Sequence, residues 1–307
     1  MIPLQLHPTV AHALAENQPV VAMESTLITH GLPYPQNLEV AHLMETAVRE
    51  ENAVPATVAV LRGKIHVGLS ADELTYLATR KPEAIHRCSR RNLPVVLAKG
   101  EDGSTTVAGT MIVAQLAGIE LFATGGIGGV HRGHPFDVSA DLTELGRTPV
   151  TVVCSGMKPF LDLTATCEVL ETQGVTLVGF GTDDVAPFFT EHSGQYTDVT
   201  LHTAAEIAGL IQARQQLRLQ SGTLVSVPVP QMHKYDKVVV DQAIDQAIRD
   251  ADVQGVVGAA VTSWMVRRLA AVLGPETFRT NIQLLCYNAK VAAQIGGALR
   301  LFTHPRL

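Results

Sequence analysis

The strongest constraint in this chain is an alternation. Short apolar runs of strand character and longer stretches of helical spacing take turns from end to end. "PVVAMEST" (19–26) reads as a short buried strand, and "NLEVAHLMETAVREENA" (37–53) as a helix with Leu38, Leu43, Ala47 and Val48 among its apolar positions. "TVAVLRGKIHVGL" (57–69) predicts a hairpin that turns at Arg62-Gly63-Lys64. "SADELTYLATR" (70–80) opens with Ser70 and has Glu73 three residues on, a capping box. "PVVLA" predicts another strand, "TTVAGTMIVAQLAG" (105–118) an apolar helix, and "ELFATGGIGG" (120–129) a strand running into a glycine loop. "VSADLTELGR" predicts a short helix. A strand at 149–154, a helix at 159–173 and the strand "VTLVGF" (175–180) follow. A helix at 203–219, the strand "TLVSVPV" and helices near 236–251, 259–273 and 276–300 complete the pattern.

Such alternation predicts a layered α/β/α fold, with helices on both faces of a central mixed, largely parallel sheet. No linker, charge block or repeat divides the chain, so residues 1–307 are expected to form a single domain. Residues 184–200, "DVAPFFTEHSGQYTDVT", have weak periodicity and exposed-looking aromatics, and are the candidate for a loop covering a site.

The composition fits a large buried core: 46% of the 307 residues are hydrophobic. Charged residues make up 17%, below the roughly 25% of ordinary globular domains, which points to extra buried surface, as between subunits. A net charge of −6 argues against a polyanionic partner such as nucleic acid. Cys88, Cys154, Cys167 and Cys286 form no CxxC pair and read as reduced core thiols. The first residues lack a basic stretch followed by an apolar one, and no run of eighteen apolar residues occurs. A cytoplasmic protein without a membrane span is the expectation.

Six segments could carry chemistry. In "TVVCSGMKPFLDL" (151–163), Lys158 follows a strand and precedes a proline suited to the first turn of a helix. A helix N-terminus and an apolar setting both disfavour an ammonium, the condition for an imine-forming amine. The competing reading is a lysine reaching from a loop to water. "ATGGIGGVHRG" (123–133) is neither a Walker loop nor a GxGxxG fingerprint. Its glycines fit a tight connection or a phosphate cradle equally well, with His131 and Arg132 as added donors. "FDVSADL" (136–142) places Asp137, Ser139 and Asp141 where helix caps occur, but also where a divalent ion would find carboxylates. Glu24, in "MESTLITHG" (23–31), is a strand-end carboxylate able to serve as a general acid. Arg87, Arg90 and Arg91 in "HRCSRRNLP" offer phosphate contacts or a basic surface loop. Asn281, Gln283 and Asn288 in "NIQLLCYN" are amides in an apolar helix, either paired structurally or reading a polar heterocycle. Strand ends converge at one edge of a parallel sheet. Together these groups look like a sugar-phosphate site with an amine nucleophile.

"VAMESTLITHGLPYPQN", "VPATVAVLRGKIHVGLS", "SRRNLP", "TTVAGTMIVAQLAGIELFATGGIGGVHRG", "FDVSADLTEL", "TVVCSGMKPFLDLTATCEVLET" and "NIQLLCYNA" closely resemble the pseudouridine-5′-phosphate glycosidases, a family that includes the indigoidine synthase A-like proteins. The likeness runs from about residue 18 to 295, with the motifs in the family's order. It implies a soluble homotrimer of an α/β/α fold that needs a divalent ion, usually manganese (Mn2+). It also implies interconversion of pseudouridine 5′-phosphate and water with uracil and ribose 5-phosphate. The resemblance places the family's nucleophile on Lys158, its general acid on Glu24 and its metal-binding aspartate on Asp137. Ser139, Ala140 and Asp141 match a substrate-contacting triplet, and Val107 a further contact. His131 and Asn281 match positions near ribose phosphate and uracil.

Arg87 stands where the family commonly has lysine; arginine keeps the charge but cannot act as a neutral amine. The loop from Gly133 to Phe136 is shorter than the family's usual one. No fused kinase domain is visible, so a pseudouridine kinase partner would be a separate protein. The rival readings are an N-ribohydrolase, for which the aspartate-rich DxDxxxDD run is missing, a non-catalytic sugar-phosphate sensor, and a role in pigment synthesis.

Overall fold

The computed structural model describes residues 4–228, 234–256, 259–274 and 276–303. Its centre is an 11-stranded mixed sheet. The middle of that sheet is parallel: Val54–Leu61, Val20–Met23, Leu121–Ala123, Thr151–Cys154, Thr223–Ser226, Thr176–Phe180 and Val199–Leu201 lie side by side in that order. These strands are short and apolar on both faces, as helices on each side require. Val20–Met23, Thr151–Cys154 and Thr223–Ser226 are buried at every position.

Val54–Leu61 is the longest strand, and its second half leaves the parallel register. There it pairs antiparallel with Lys64–Val67 and with Gly103–Thr105, and the latter carries His86–Cys88 beside it. The turn into Lys64–Val67 is the predicted hairpin, with φ of 50° at Arg62 and 69° at Gly63. The capping box at Ser70 also forms: Ser70 Oγ accepts from Glu73 N while Glu73 accepts from Ser70 N.

Three expectations need correction. "PVVLA" is helical, within Leu93–Lys99, because Pro94 sits in its first turn and Gly100 closes it in the left-handed conformation. A short apolar run does not reveal its own period. The helix expected from residue 159 starts at Leu163, where Asp162 accepts from Ala165 N and caps it. Pro159 instead belongs to a turn that leads into Leu161–Asp162, a strand paired antiparallel with Val130–His131. Lys158 is therefore not at a helix N-terminus. Phe188 and Phe189, expected to be exposed, are buried; within 184–200 Tyr196 is the exposed aromatic. Val229, the last residue of the expected strand "TLVSVPV", lies outside the described residues.

The long helix Glu276–Thr303 lies along the sheet. Leu284 and Leu285 pack on Gly125, just past one strand, while Gly296 meets Leu121 and Pro19 near the opposite end. The helix N-terminus thus points to the carboxyl edge of the parallel strands. All four cysteines are free, and burial pushes the thiols of Cys88 and Cys154 up to about 12. Among the described residues no helix is long and apolar enough to cross a membrane.

Candidate active site

The residues leaving the parallel strands gather at that carboxyl edge. Glu24 follows Val20–Met23, Thr124 follows Leu121–Ala123, and Ser155 opens the turn that ends in Lys158. Glu24 is 8% exposed. The Thr124 hydroxyl donates to Glu24 Oε1 at 2.5 Å, and the Thr26 hydroxyl donates to Oε2. Burial nevertheless wins, holding the Glu24 carboxyl above its ordinary 4.5 against the opposing pull of the Lys158 charge and the two hydroxyls. A buried carboxyl inclined to keep its proton is the state a general acid requires.

Lys158 is half-buried, and its backbone N–H donates to Ile127 O at 3.2 Å. The turn that carries it is braced by Arg132, which donates through Nε to Leu161 O (3.1 Å) and through Nη2 to Pro159 O (3.3 Å). Arg87 enters from the antiparallel flank, in register with Ser104. Its guanidinium feels the charges of both Glu24 and Asp141. An amine, a carboxyl and a guanidinium from three distant segments therefore share one electrostatic neighbourhood.

The glycine loop works differently from a simple cradle. A Cβ on Gly128 would stand 2.4 Å from Ser139 Oγ, and one on Gly126 2.4 Å from the Phe188 ring. Glycine is needed at both positions so that neighbouring elements can close on the loop. Its amides are also engaged within the protein: Ile127 N bonds Gly156 O, Gly128 N bonds Asp141 Oδ2 (2.9 Å) and Val130 N bonds Thr166 Oγ1 (3.0 Å). The other Asp141 oxygen accepts from Ala108 N at 3.0 Å, in the first turn of helix Val107–Ala117. Buried Asp141 thus clasps the glycine loop to that helix, and sets Val107 beside the same edge. Ser139 caps helix Ala140–Leu145 through Asp141 N, and Ala140 is exposed.

Asp137 and His131 face each other on a hairpin formed by Val130–His131 and His134–Val138, with Oδ2 and Nδ1 3.4 Å apart. They line a cavity of about 120 Å³, with Arg132 and His134 on the same side and Ile248, Val261 and Met265 on the other. The Lys158 charge reaches His131 and adds to the burial that lowers its proton affinity. Among the described residues no group of three His, Cys, Asp or Glu side chains is poised to hold a metal. Asp137, with His131 beside it, offers a single carboxylate, so a hard cation held there would keep most of its shell as water.

Arg90 does not face the site. It makes a bidentate pair with Glu144 (2.8 and 2.6 Å), removing it from the phosphate candidates. Asn288 is fully buried and donates to Thr124 O (2.8 Å) and Ser155 Oγ (3.1 Å), tying two strand ends together. Asn281 lies seven residues before it on the same helix face, one turn beyond Leu285, and so overhangs the carboxyl edge. Thr26, Thr124 and Arg132 have structural parts that sequence reasoning did not assign. The signal for the two threonines was their place one and three residues past an apolar run.

An α/β/α protein with an amine and a proton-retaining carboxyl at a parallel sheet's carboxyl edge is, by class, one built for chemistry on a small polar ligand. The profile of the family described as "Indigoidine synthase A like protein" matches residues 9–298, and the chain belongs to that family. It is 50% identical over 303 residues to a pseudouridine-5′-phosphate glycosidase of Symbiobacterium thermophilum, covering 97% of this chain and 98% of the relative. It is 46% identical over 294 residues to the protein of the same name from Escherichia coli, covering 95% and 94%. Among solved structures, the prealnumycin C-glycosynthase in complex with ribulose 5-phosphate matches with a TM-score of 0.90 and 36% identity over 99% of both chains. An indigoidine synthase A-like protein from Thermotoga maritima matches with a TM-score of 0.88 and 30% identity over 97% of each.

Proposed function

We propose that this chain is a pseudouridine-5′-phosphate glycosidase acting reversibly through a lysine–ribose imine. The observation that carries the reading is the electrostatic influence of Lys158 on a buried Glu24 that burial keeps inclined to the protonated form. Relatives bearing that name at 46–50% identity support the substrate class. A structural relative holding ribulose 5-phosphate supports a pentose-phosphate site.

The chemistry follows from the bond. Pseudouridine joins C1′ of ribose to C5 of uracil, and carbon is a poor leaving group. Two-carboxylate chemistry of the ordinary glycosidase kind does not suit it. In the proposed route the Lys158 amine forms a bond to C1′. The C1′–O4′ bond breaks, and O4′ leaves as the C4′ hydroxyl, taking the proton that the amine gives up. Glu24 then protonates C5 of uracil. The C1′–C5 pair moves to C5, the nitrogen lone pair closes the C1′=N imine, and uracil departs. Water adds to C1′ and releases ribose 5-phosphate, restoring the amine; Glu24 recovers its proton from solvent.

Arg87 and Asn281 hold the uracil side. Ser139, Ala140 and Val107 shape the sugar pocket, with Asp141 clasping its walls, and His131 lies beside the phosphate. Asp137 would hold a divalent ion such as Mn2+, which supplies charge neutralisation for phosphate and hydroxyls when bound. The low charge fraction of the chain fits a homotrimer, in the cytoplasm, with a separate kinase supplying the phosphorylated nucleoside.

The test is to incubate the protein with ribose 5-phosphate, add borohydride and map the adduct. A stable adduct on Lys158, together with uracil release from pseudouridine 5′-phosphate, is expected. No adduct, or one on another residue, refutes the imine.

A further inference from the structure

One histidine outside the proposed chemistry links the two segments that bring Glu24 and Arg87 together. His30 lies on the single wide turn Leu27–Gly31, just beyond Glu24. Turns of this π type recur at functional sites. Its Nδ1 stands 2.6 Å from Thr29 Oγ1 and 3.4 Å from Ser104 Oγ, and the two hydroxyl oxygens are 2.8 Å apart. Ser104 is the residue in register with Arg87 on the neighbouring strand. The backbone of Pro82, in the helical turn Pro82–Ala84 ahead of Arg87, acts on the same ring. One imidazole thus spans the Glu24 turn, the strand under Arg87 and the loop before it.

The charged groups around the ring are Arg87 and Glu83. Burial and the Arg87 charge hold the imidazole down at about 4, outweighing the Pro82 backbone and Glu83. The ring is therefore neutral at pH 7, and a neutral ring places no second cation beside the guanidinium.

We infer that His30 is a positioning residue: a hydrogen-bonded strut that fixes the Arg87 guanidinium relative to the Glu24 carboxyl, and so sets how the uracil side of the substrate is held. This rests on the glycosidase reading for its kinetic consequence, but not for its physical one.

The experiment has two arms on the full chain. Side-chain ¹⁵N spectra across pH follow His30 directly. The expected result is a neutral ring that gains its proton only near 4, with the midpoint climbing in Arg87→Ala. A midpoint at the ordinary 6.5 overturns the proposal. In the second arm, uracil release is measured for His30→Ala, Arg87→Ala and the double variant. Each single change is expected to lower kcat/KM by about tenfold or more, and the double variant should stay within about threefold of Arg87→Ala alone, because strut and strutted group act as one unit. Losses that multiply, or a fall in melting temperature with kcat/KM unchanged, overturn it. A parent protein that releases no uracil would refute the glycosidase reading, while the spectra would still decide the strut.

Discussion

Lys158 lies close enough to Glu24 for its charge to oppose the burial that raises the carboxyl, although 134 positions separate the two residues in the chain. The pair exists because Leu121–Ala123 lies between Val20–Met23 and Thr151–Cys154 in the sheet, parallel to both. Their carboxyl ends open in one direction, so an amine from one and a carboxyl from another meet without any local sequence signal.

Lys158→Ala should leave the fold intact, since the braces on its turn are made by backbone atoms and Arg132 rather than by the amine. Circular dichroism is expected to be unchanged while uracil release falls to background and borohydride trapping disappears. Retained turnover would exclude this amine as the nucleophile.

Glu24→Gln keeps the shape and removes the proton. Uracil release should drop about 10²–10⁴-fold, the usual worth of a positioned acid. Burial holds the carboxyl above 4.5, so the proton-bearing form is present below that raised value and is lost as pH rises through it. The parent's kcat profile should therefore show an alkaline fall that is missing from the variant's residual activity.

Asn288→Ala tests the clamp rather than the chemistry. The change leaves the Thr124 carbonyl and the Ser155 hydroxyl without their buried donor. A loss of about 1–3 kcal/mol is expected, read by denaturant unfolding. Unaltered stability would show that water or a neighbour takes over both bonds.

His30 links stability to acidity. Its proton affinity is about 4 in the native protein against an ordinary 6.5. Between those values the unfolded chain binds a proton that the native chain refuses, so stability is fully present above 6.5 and falls as pH drops towards 4. Urea midpoints measured at several pH values should decline less steeply in His30→Gln than in the parent. Parallel declines would place the acid sensitivity elsewhere.

The two wrong element assignments share a cause with the buried phenylalanines. "PVVLA" and the stretch after Lys158 are too short for periodicity to be read, and their state is set by a proline, a cap and a pairing strand. Phe188 lies in an irregular segment, yet it packs on Gly126, a contact no local pattern announces. Arg90 looked like Arg87 in sequence; only Glu144, 54 positions away, separates their parts.

Alternating periods, the hairpin at Arg62-Gly63 and the capping box at Ser70 were written in the order of residues, because each depends on neighbours a few positions apart. Those local rules were enough to specify a layered α/β/α chain and to point to candidate groups at its strand ends, and the motifs named its family. Which groups meet there was decided by the tertiary structure. The raised Glu24 carboxyl, the Asp141 clasp on Gly128 and Ala108, and the His30 strut all arise from desolvation and hydrogen bonds between segments far apart in the chain. Such terms come into being only when the sheet has brought those segments together and excluded water from between them.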